Sequence, residues 1–217
     1  MKDIVLFGVQ WAWKGTQASM LLDEYSEYLS YFEAWNILRA LKSKPNCLGD
    51  YVKSKIDKWE LVSDEFISSL YSAFLSVLNE ENKYALVDWF PRKQLQMNYF
   101  LENMKTYQRD YIAVFLDLDK NKAIERLSSR RVCDDCGTVL SAQIDDITKC
   151  KNCESSNIKQ REDDYPEAIE KRINLYFEET QPVISYFQQQ GKLYNVDASW
   201  DPSQINKQVK DIINTVS

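Results

Sequence analysis

The stretch "GVQWAWKGTQ" (residues 8–17) ends on Lys14, Gly15 and Thr16 and follows the apolar run "IVLF". A buried strand, a short loop and a Lys-Gly-Thr at a helix start make a plan for holding phosphate. Backbone N–H groups curl around the oxygens and the lysine ammonium reaches over them. Such a loop is built from glycine, yet Trp11 and Trp13 stand inside it. A second candidate is Asp88, which closes the apolar run "YALVD" and offers a carboxylate at a strand end.

The cysteines form the third chemical group. Cys133-x2-Cys136-Gly137 and Cys150-x2-Cys153 are two CxxC knuckles, the spacing of a zinc ribbon. Each pair presents two thiolates to one tetrahedral ion. Four sulfurs leave no open position, so such an ion is structural. The competing reading, two redox CxxC pairs, lacks the strand-to-helix setting that those sites use. Cys47 reads as a semi-buried small hydrophobe. There is no histidine, so neither a metal site nor an acid–base pair can draw on imidazole.

These residues need elements to position them. "IVLFG" (4–8), "YALVDWFPR" (84–92), "YIAVFLDLD" (111–119) and "KLYNVDAS" (192–199) read as buried strands. Helical patterns cover Lys14 to about Ser26, 64–79, 93–106, 120–129, 165–190 and 202–216. The alternation predicts a parallel sheet with helices on both faces, with ligands at the carboxyl ends of its strands. Gly8, Asp88 and Asp119 fall there. Two insertions interrupt the alternation: residues 30–63, mostly helical, and residues 130–163, which hold the paired cysteines. Tyr176, Tyr186 and Phe187 fall at helical spacing and read as core.

Composition sets the bounds. The chain has 217 residues, a formal charge of −6 and 44% hydrophobic residues, an ordinary globular composition. The acidic balance disfavours nonspecific nucleic-acid binding. No apolar run reaches membrane-spanning length, and the N-terminus has no signal-peptide pattern. Unpaired thiols suit a reducing compartment. The expectation is a cytoplasmic protein, a monomer, with no nucleic acid or membrane partner.

Six segments in order resemble the adenylate kinase family of the long, zinc-bearing-lid type, over essentially the whole chain. "GVQWAWKGT" is similar to GxPGxGKGT, "EAWNILRA" (33–40) to the family's Thr-Gly-Asp and Leu-Arg segment, and "DKWELVSDE" (57–65) to DKGxLVPDE. "VDWFPRKQLQ" (87–96) is similar to LDGFPRxxxQ. "AIERLSSRRVCDDCG" (123–137) and "QREDDYPEAIEKRINLYFEETQPVISYF" (160–187) resemble the stretches leading into and out of the lid. The resemblance implies a P-loop NTPase-type α/β fold in three layers, a five-stranded parallel sheet flanked by helices. It implies a core domain of residues 1–29, 64–129 and 164–217, an NMP-binding subdomain of 30–63 and a zinc-binding lid of 130–163.

The activity implied is reversible phosphoryl transfer from ATP to AMP, giving two ADP, with Mg²⁺ accompanying ATP and Zn²⁺ in the lid. That reaction rests on positioning and charge stabilisation, and the acceptor is already an anionic oxygen. The absence of histidine therefore fits it. By the same resemblance Gly8, Trp11, Ala12, Trp13, Lys14, Gly15 and Thr16 hold the ATP phosphates, with Arg126 and Arg130 from the lid's first hinge. Ala34, Arg39, Leu61, Val62, Trp89, Arg92 and Gln96 form the AMP site, joined by Arg161 and Arg172. Lys14, Arg92, Arg126, Arg130, Arg161 and Arg172 are the catalytic cations, Asp88 holds magnesium through water, and Asp163 and Asp164 pair with lid arginines. Arg109 and Arg131 read as surface or hinge residues.

The departures from the family pattern concentrate on one residue type. Trp11, Trp13, Trp35, Trp59 and Trp89 stand where the pattern has glycine, and Trp200 lies in a turn, "ASWDPS", where glycine is natural. Glycine occurs only 5 times, about a third of the usual ~7%. UGA is read as glycine in some bacteria and as tryptophan in other codes, so a glycine gene translated with the second table yields this pattern. The opposing reading is genuine tryptophan in a catalytically dead, zinc-stabilised module. Ala34 for threonine and Ser63 for proline lie outside either explanation, and Ala34 keeps UMP or CMP open as acceptor. ATP-dependent ADP formation separates kinase from dead module, and acceptor preference separates the kinases.

Overall fold

The structure is a computed structural model, and it describes residues 1–58, 60–143, 145–160 and 164–216. Its centre is a parallel sheet of five strands, β1 (Asp3–Phe7), β2 (Leu29–Glu33), β3 (Tyr84–Asp88), β4 (Tyr111–Asp117) and, last in the chain, Leu193–Asp197, which closes one edge. The spatial order is β2-β3-β1-β4 and then Leu193–Asp197. Ile4, Val5 and Leu6 pair with Leu86, Val87 and Asp88 on one side, and Asp3 through Phe7 pair with Tyr111 through Phe115 on the other. β1 is buried along its whole length, as expected of a run covered by helices on both faces. The chain crosses from β3 over β1 to β4, so the sheet's switch point lies beside the end of β1.

Helices connect these strands: α1 (Lys14–Tyr25), α2 (Ala34–Lys42), α3 (Cys47–Ile56), α4 (Asp64–Glu81), α5 (Gln94–Thr106) and α6 (Lys120–Ser128). A short antiparallel sheet follows, β5 (Arg130–Cys133) flanked by β6 (Val139–Ser141) and β7 (Ile158–Lys159). Then come α7 (Pro166–Glu179), α8 (Gln181–Gln189), the edge strand β8 (Leu193–Asp197) and α9 (Pro202–Val216). Among the described residues no helix is long and apolar enough to cross a membrane.

Several ends are legible as side-chain caps. The Ser63 hydroxyl accepts from Phe66 N at 3.2 Å and starts α4, which accounts for serine where the family pattern has proline. Asp119 accepts from Asn121 N at 2.9 Å and starts α6, so its carboxylate serves the helix. The Glu33 carboxylate accepts from Asn36 N at 2.8 Å and starts α2.

The structure corrects four expectations. Leu29–Glu33 is a strand of the main sheet, so the helical insertion begins at Ala34. The helical pattern over 165–190 is two helices, α7 and α8, that meet at Thr180. Cys47 is exposed at the start of α3. Arg109 is an interior anchor: its guanidinium gives Asp3 two hydrogen bonds of 2.7 Å and Lys83 O a third, and Asp3 also accepts from Ala85 N. The pair ties the start of β1 to those of β3 and β4. Phe187 and Tyr176 are in the core as expected, with Tyr186 packed against it.

Candidate active site

The loop after β1 carries its chain through a sharp turn. Gly8 has φ 152°, and a Cβ there would lie 2.8 Å from Leu116 O, so only glycine fits. Trp11 and Trp13 have φ 65° and 63°, and Trp89, after β3, has φ 67°. These are left-handed values that cost a side-chain-bearing residue roughly 1–2 kcal/mol each. Three tryptophans at the predicted glycine positions therefore hold glycine's backbone conformation. Trp35 lies inside α2, Trp200 is exposed in its turn, and neither has positive φ. Trp59 lies outside the described residues.

The backbone turns into α1 at Trp13 with no side-chain cap. The first N–H groups of a helix lack intrahelical partners, and together with the positive end of its dipole they attract anions. Gly15 and Thr16 sit in that first turn, and Ala12 is buried beneath the loop.

Lys14 is buried, and its ammonium donates to Gly8 O at 2.9 Å and Val9 O at 3.2 Å. Burial lowers its pKa, and Asp88 opposes that. Burial pushes the Asp88 carboxyl up to about 6, with Lys14 pulling it down and Glu33 adding to the rise. Tyr31 donates to its Oδ2 at 3.5 Å, and its Oδ1 is buried with no partner. An acceptor-only carboxylate oxygen left open beside a phosphate-type loop suits a water-coordinated divalent cation.

Arg92 is half-buried nearby, and desolvation lowers its pKa against the pull of Glu179, Tyr176 and Asp88. Gly8, Lys14, Asp88, Trp89, Arg92, Tyr176 and Thr180 surround one cavity of about 20 Å³, the room of a single water. The hydroxyls of Tyr176 and Thr180 are buried there without partners.

The indoles occupy the cations. Lys14 Nζ lies 5.0 Å and the Arg92 guanidinium 4.6 Å from the Trp89 ring, and the Arg126 guanidinium 5.3 Å from Trp13. Trp11 and Trp13 meet edge to face at 5.5 Å. Arg126 also donates to Trp11 O, Ala198 O and Ser199 O. It is thus held on the loop and on the turn after β8.

A second pocket adjoins the first. Ala34, Trp35, Leu38, Leu61, Val62, Ile67 and Trp89 form its apolar wall, and Asp64, Arg92, Lys93, Gln96 and Glu179 its polar side. The Gln96 amide is fixed, its oxygen accepting from Arg92 N at 2.8 Å and its nitrogen donating to Asp64 Oδ1 at 2.7 Å. Arg39 is exposed on α2 and pairs with Asn36 and, at 3.7 Å, with Glu33.

In the cysteine module, Arg130 forms a buried double contact to Asp164, and Arg172 approaches the same carboxylate at 3.5 Å. Arg161 and Asp163 lie outside the described residues. The four Sγ atoms of Cys133, Cys136, Cys150 and Cys153 all fall within 4.8 Å of one another, with pairs at 3.5 Å. A tetrahedral Zn–S distance of about 2.3 Å requires S···S near ~3.8 Å. The two knuckles turn alike: Gly137 N donates to Cys133 O and Glu154 N to Cys150 O, both at 2.8 Å, with φ 74° and 59°. The four cysteines form a cluster able to hold one metal ion.

The sequence reading missed Tyr31, Glu33, Asp64, Tyr176 and Thr180. Recognising Leu29–Glu33 as a strand would have exposed the first two as strand-end residues. Asp64 lies in the "DKWELVSDE" segment and Tyr176 and Thr180 in "NLYFEET", but nothing local says that they face the site.

A parallel sheet with a lysine-bearing loop at its switch point, a strand-end carboxylate and convergent arginines defines a P-loop phosphotransferase. The adenylate kinase family model matches residues 6–192. The chain is 32% identical over 216 residues to the adenylate kinase of Petrotoga mobilis, covering 98% of this chain and 97% of that one. It is 32% identical over 217 residues to that of Nitrosococcus oceani (97% and 98% covered) and 30% identical over 219 residues to that of Bacillus velezensis (99% of each). The chain belongs to the adenylate kinase family, and with it to the nucleoside monophosphate kinases.

Proposed function

We propose that the chain, with glycine at its six tryptophan positions, transfers a phosphoryl group from ATP to AMP and releases two ADP. The observation that supports this most is the convergence of Lys14, Asp88 and Arg92 on the end of β1 beside an apolar-walled pocket bearing a fixed amide.

In this reading the loop N–H groups from residue 11 to Thr16 and the start of α1 hold the donor phosphates, while Lys14 swings from Gly8 O and Val9 O onto the transferring group. Arg92 and Arg39 grip the acceptor phosphate, and Gln96 reads its base against Ala34, Leu61 and Val62. Arg126, Arg130, Arg161 and Arg172 neutralise charge spreading over the phosphoryl oxygens. Asp88 holds the water shell of Mg²⁺, which when bound screens the donor charge. Cys133, Cys136, Cys150 and Cys153 hold Zn²⁺, which keeps a small lid in shape without a large core.

The division into a core (1–29, 64–129, 164–217), an acceptor subdomain (30–63) and a lid (130–163) belongs to the same proposal, with β2 carrying the core to Ala34. So do a monomeric state and a cytoplasmic location. The test is ADP formation by the glycine form with ATP and AMP, UMP or CMP in turn. AMP is expected to have the highest kcat/KM. A higher value with UMP or CMP moves the assignment to that acceptor, and no ADP with any acceptor refutes it.

A further inference from the structure

We infer that Asp64 is a positioning residue that makes the acceptor pocket select a 6-aminopurine over a 6-oxopurine, by locking the Gln96 amide against a flip. This rests on reading the pocket as the acceptor-base site. The amide is held from both sides by groups of opposite kind. Arg92 N–H can only donate, and it holds Gln96 Oε1 at 2.8 Å. The Asp64 carboxylate can only accept when ionised, and it holds Gln96 Nε2 at 2.7 Å. Gln96 is itself buried, 7% exposed, which limits the access of water to the amide.

The geometry of a primary amide sets the consequence. Its oxygen has two lone pairs and its nitrogen two hydrogens. Arg92 and Asp64 take one of each, and the remaining edge offers an acceptor beside a donor in one fixed order. A 6-aminopurine answers with its amino N–H and its unprotonated ring N1. A 6-oxopurine presents a carbonyl and an N1–H, which is the reverse order. Binding it would require the amide to turn over. That would set NH₂ against the Arg92 N–H and C=O against the Asp64 carboxylate. Two hydrogen bonds become two repulsions in a partly buried place, where unpaired polar groups are costly.

The division of labour follows from the elements. Asp64 is the first residue of α4 and Gln96 lies in the first turn of α5. The filter is therefore built between two helix starts whose axes are packed together, and Asp64 needs no contact with the base. Asn at position 64 could offer NH₂ to a flipped amide oxygen and relieve one of the two repulsions.

The experiment is titration calorimetry of AMP and inosine monophosphate with the full chain in its glycine form, to which the proposed activity is assigned. Asp64→Asn is compared with Asp64→Ala, so that a folding defect in one leaves the other. In both variants the ratio of AMP to inosine monophosphate affinity is expected to fall ~10-fold or more, chiefly through tighter binding of the oxopurine. A merely structural role would weaken both ligands alike and leave the ratio in place, and that result overturns the inference. If the unsubstituted glycine form binds inosine monophosphate as well as AMP, the inference also fails. If it binds neither, the pocket reading fails, and the inference with it.

Discussion

Replacing Trp11, Trp13 and Trp89 by glycine is the perturbation on which the identity of these positions turns. All three residues sit at φ between 63° and 67°, so glycine adopts the same backbone without the ~1–2 kcal/mol that a side chain costs there. That relief is partly offset by glycine's greater entropy loss, roughly 0.5–1 kcal/mol each, and by lost indole packing. Folding stability is thus a poor readout. Phosphate chemistry is a sharp one. Lys14, Arg92 and Arg126 each lie over an indole at 4.6–5.3 Å. At ~0.5–1 kcal/mol per contact, pulling all three onto phosphates costs about 1.5–3 kcal/mol, or ~10–150-fold. The remaining cavity, about 20 Å³, has no room for a phosphate until Trp89 and Lys14 move. The chain as written is expected to show under ~1% of the ADP formation of the glycine form in a coupled assay, with positions 11, 13 and 89 contributing most and 35, 59 and 200 less. Activity within tenfold of the glycine form, from protein whose mass confirms six tryptophans, would refute the reasoning. So would UGG codons at these positions in the gene.

Other consequences can be checked separately. The chain purified without chelator and with reduced thiols is expected to carry one tightly held zinc, and chelation or Cys150→Ser to lower the thermal midpoint; metal analysis reads the first and calorimetry the second. Arg92→Ala in the glycine form is expected to cut AMP-dependent turnover at least ~100-fold, and unchanged kinetics would remove Arg92 from the site. Arg109→Ala strands the buried Asp3 carboxylate and is expected to cost about 3–5 kcal/mol in denaturant unfolding, with a loss under ~1 kcal/mol marking the pair as dispensable. Lys192, then Lys2, holds the Asp110 carboxyl down at about 2. Its folded pKa lies below its unfolded one, so its stabilisation is complete above about pH 4 and fades as pH falls through 2. Because the site is exposed, the contribution is under ~1 kcal/mol, and Asp110→Asn should flatten that part of the stability–pH curve only.

The phosphate loop, the cysteine cluster and the sheet were readable because each is a local pattern. Apolar runs with turn residues after them mark β1, β3, β4 and β8, and two CxxC knuckles specify a metal geometry by spacing alone. Leu29–Glu33 escaped because "LSYFE" is short and half-buried at one edge of the sheet, with polar residues before it. Arg109 read as surface because nothing near it in sequence announces Asp3, its partner 106 residues away. Arg126 illustrates a different limit: its motif was legible, but its three carbonyl partners on the loop and the β8–α9 turn were not.

The sequence by itself determined the chemistry available: a lysine, a strand-end aspartate, a set of arginines, four thiolates, no imidazole, and tryptophan where the family pattern has glycine. It determined these because residue type and short spacing are properties of the chain. Only the tertiary structure decided which groups face each other. It set Lys14 and Arg92 over the one ring of Trp89, buried an Asp88 oxygen without a partner, and held the Gln96 amide between Arg92 and Asp64. It also showed left-handed backbone at Trp11, Trp13 and Trp89. Those are facts of strand order and helix packing, which join residues far apart in the chain, and no local pattern encodes them.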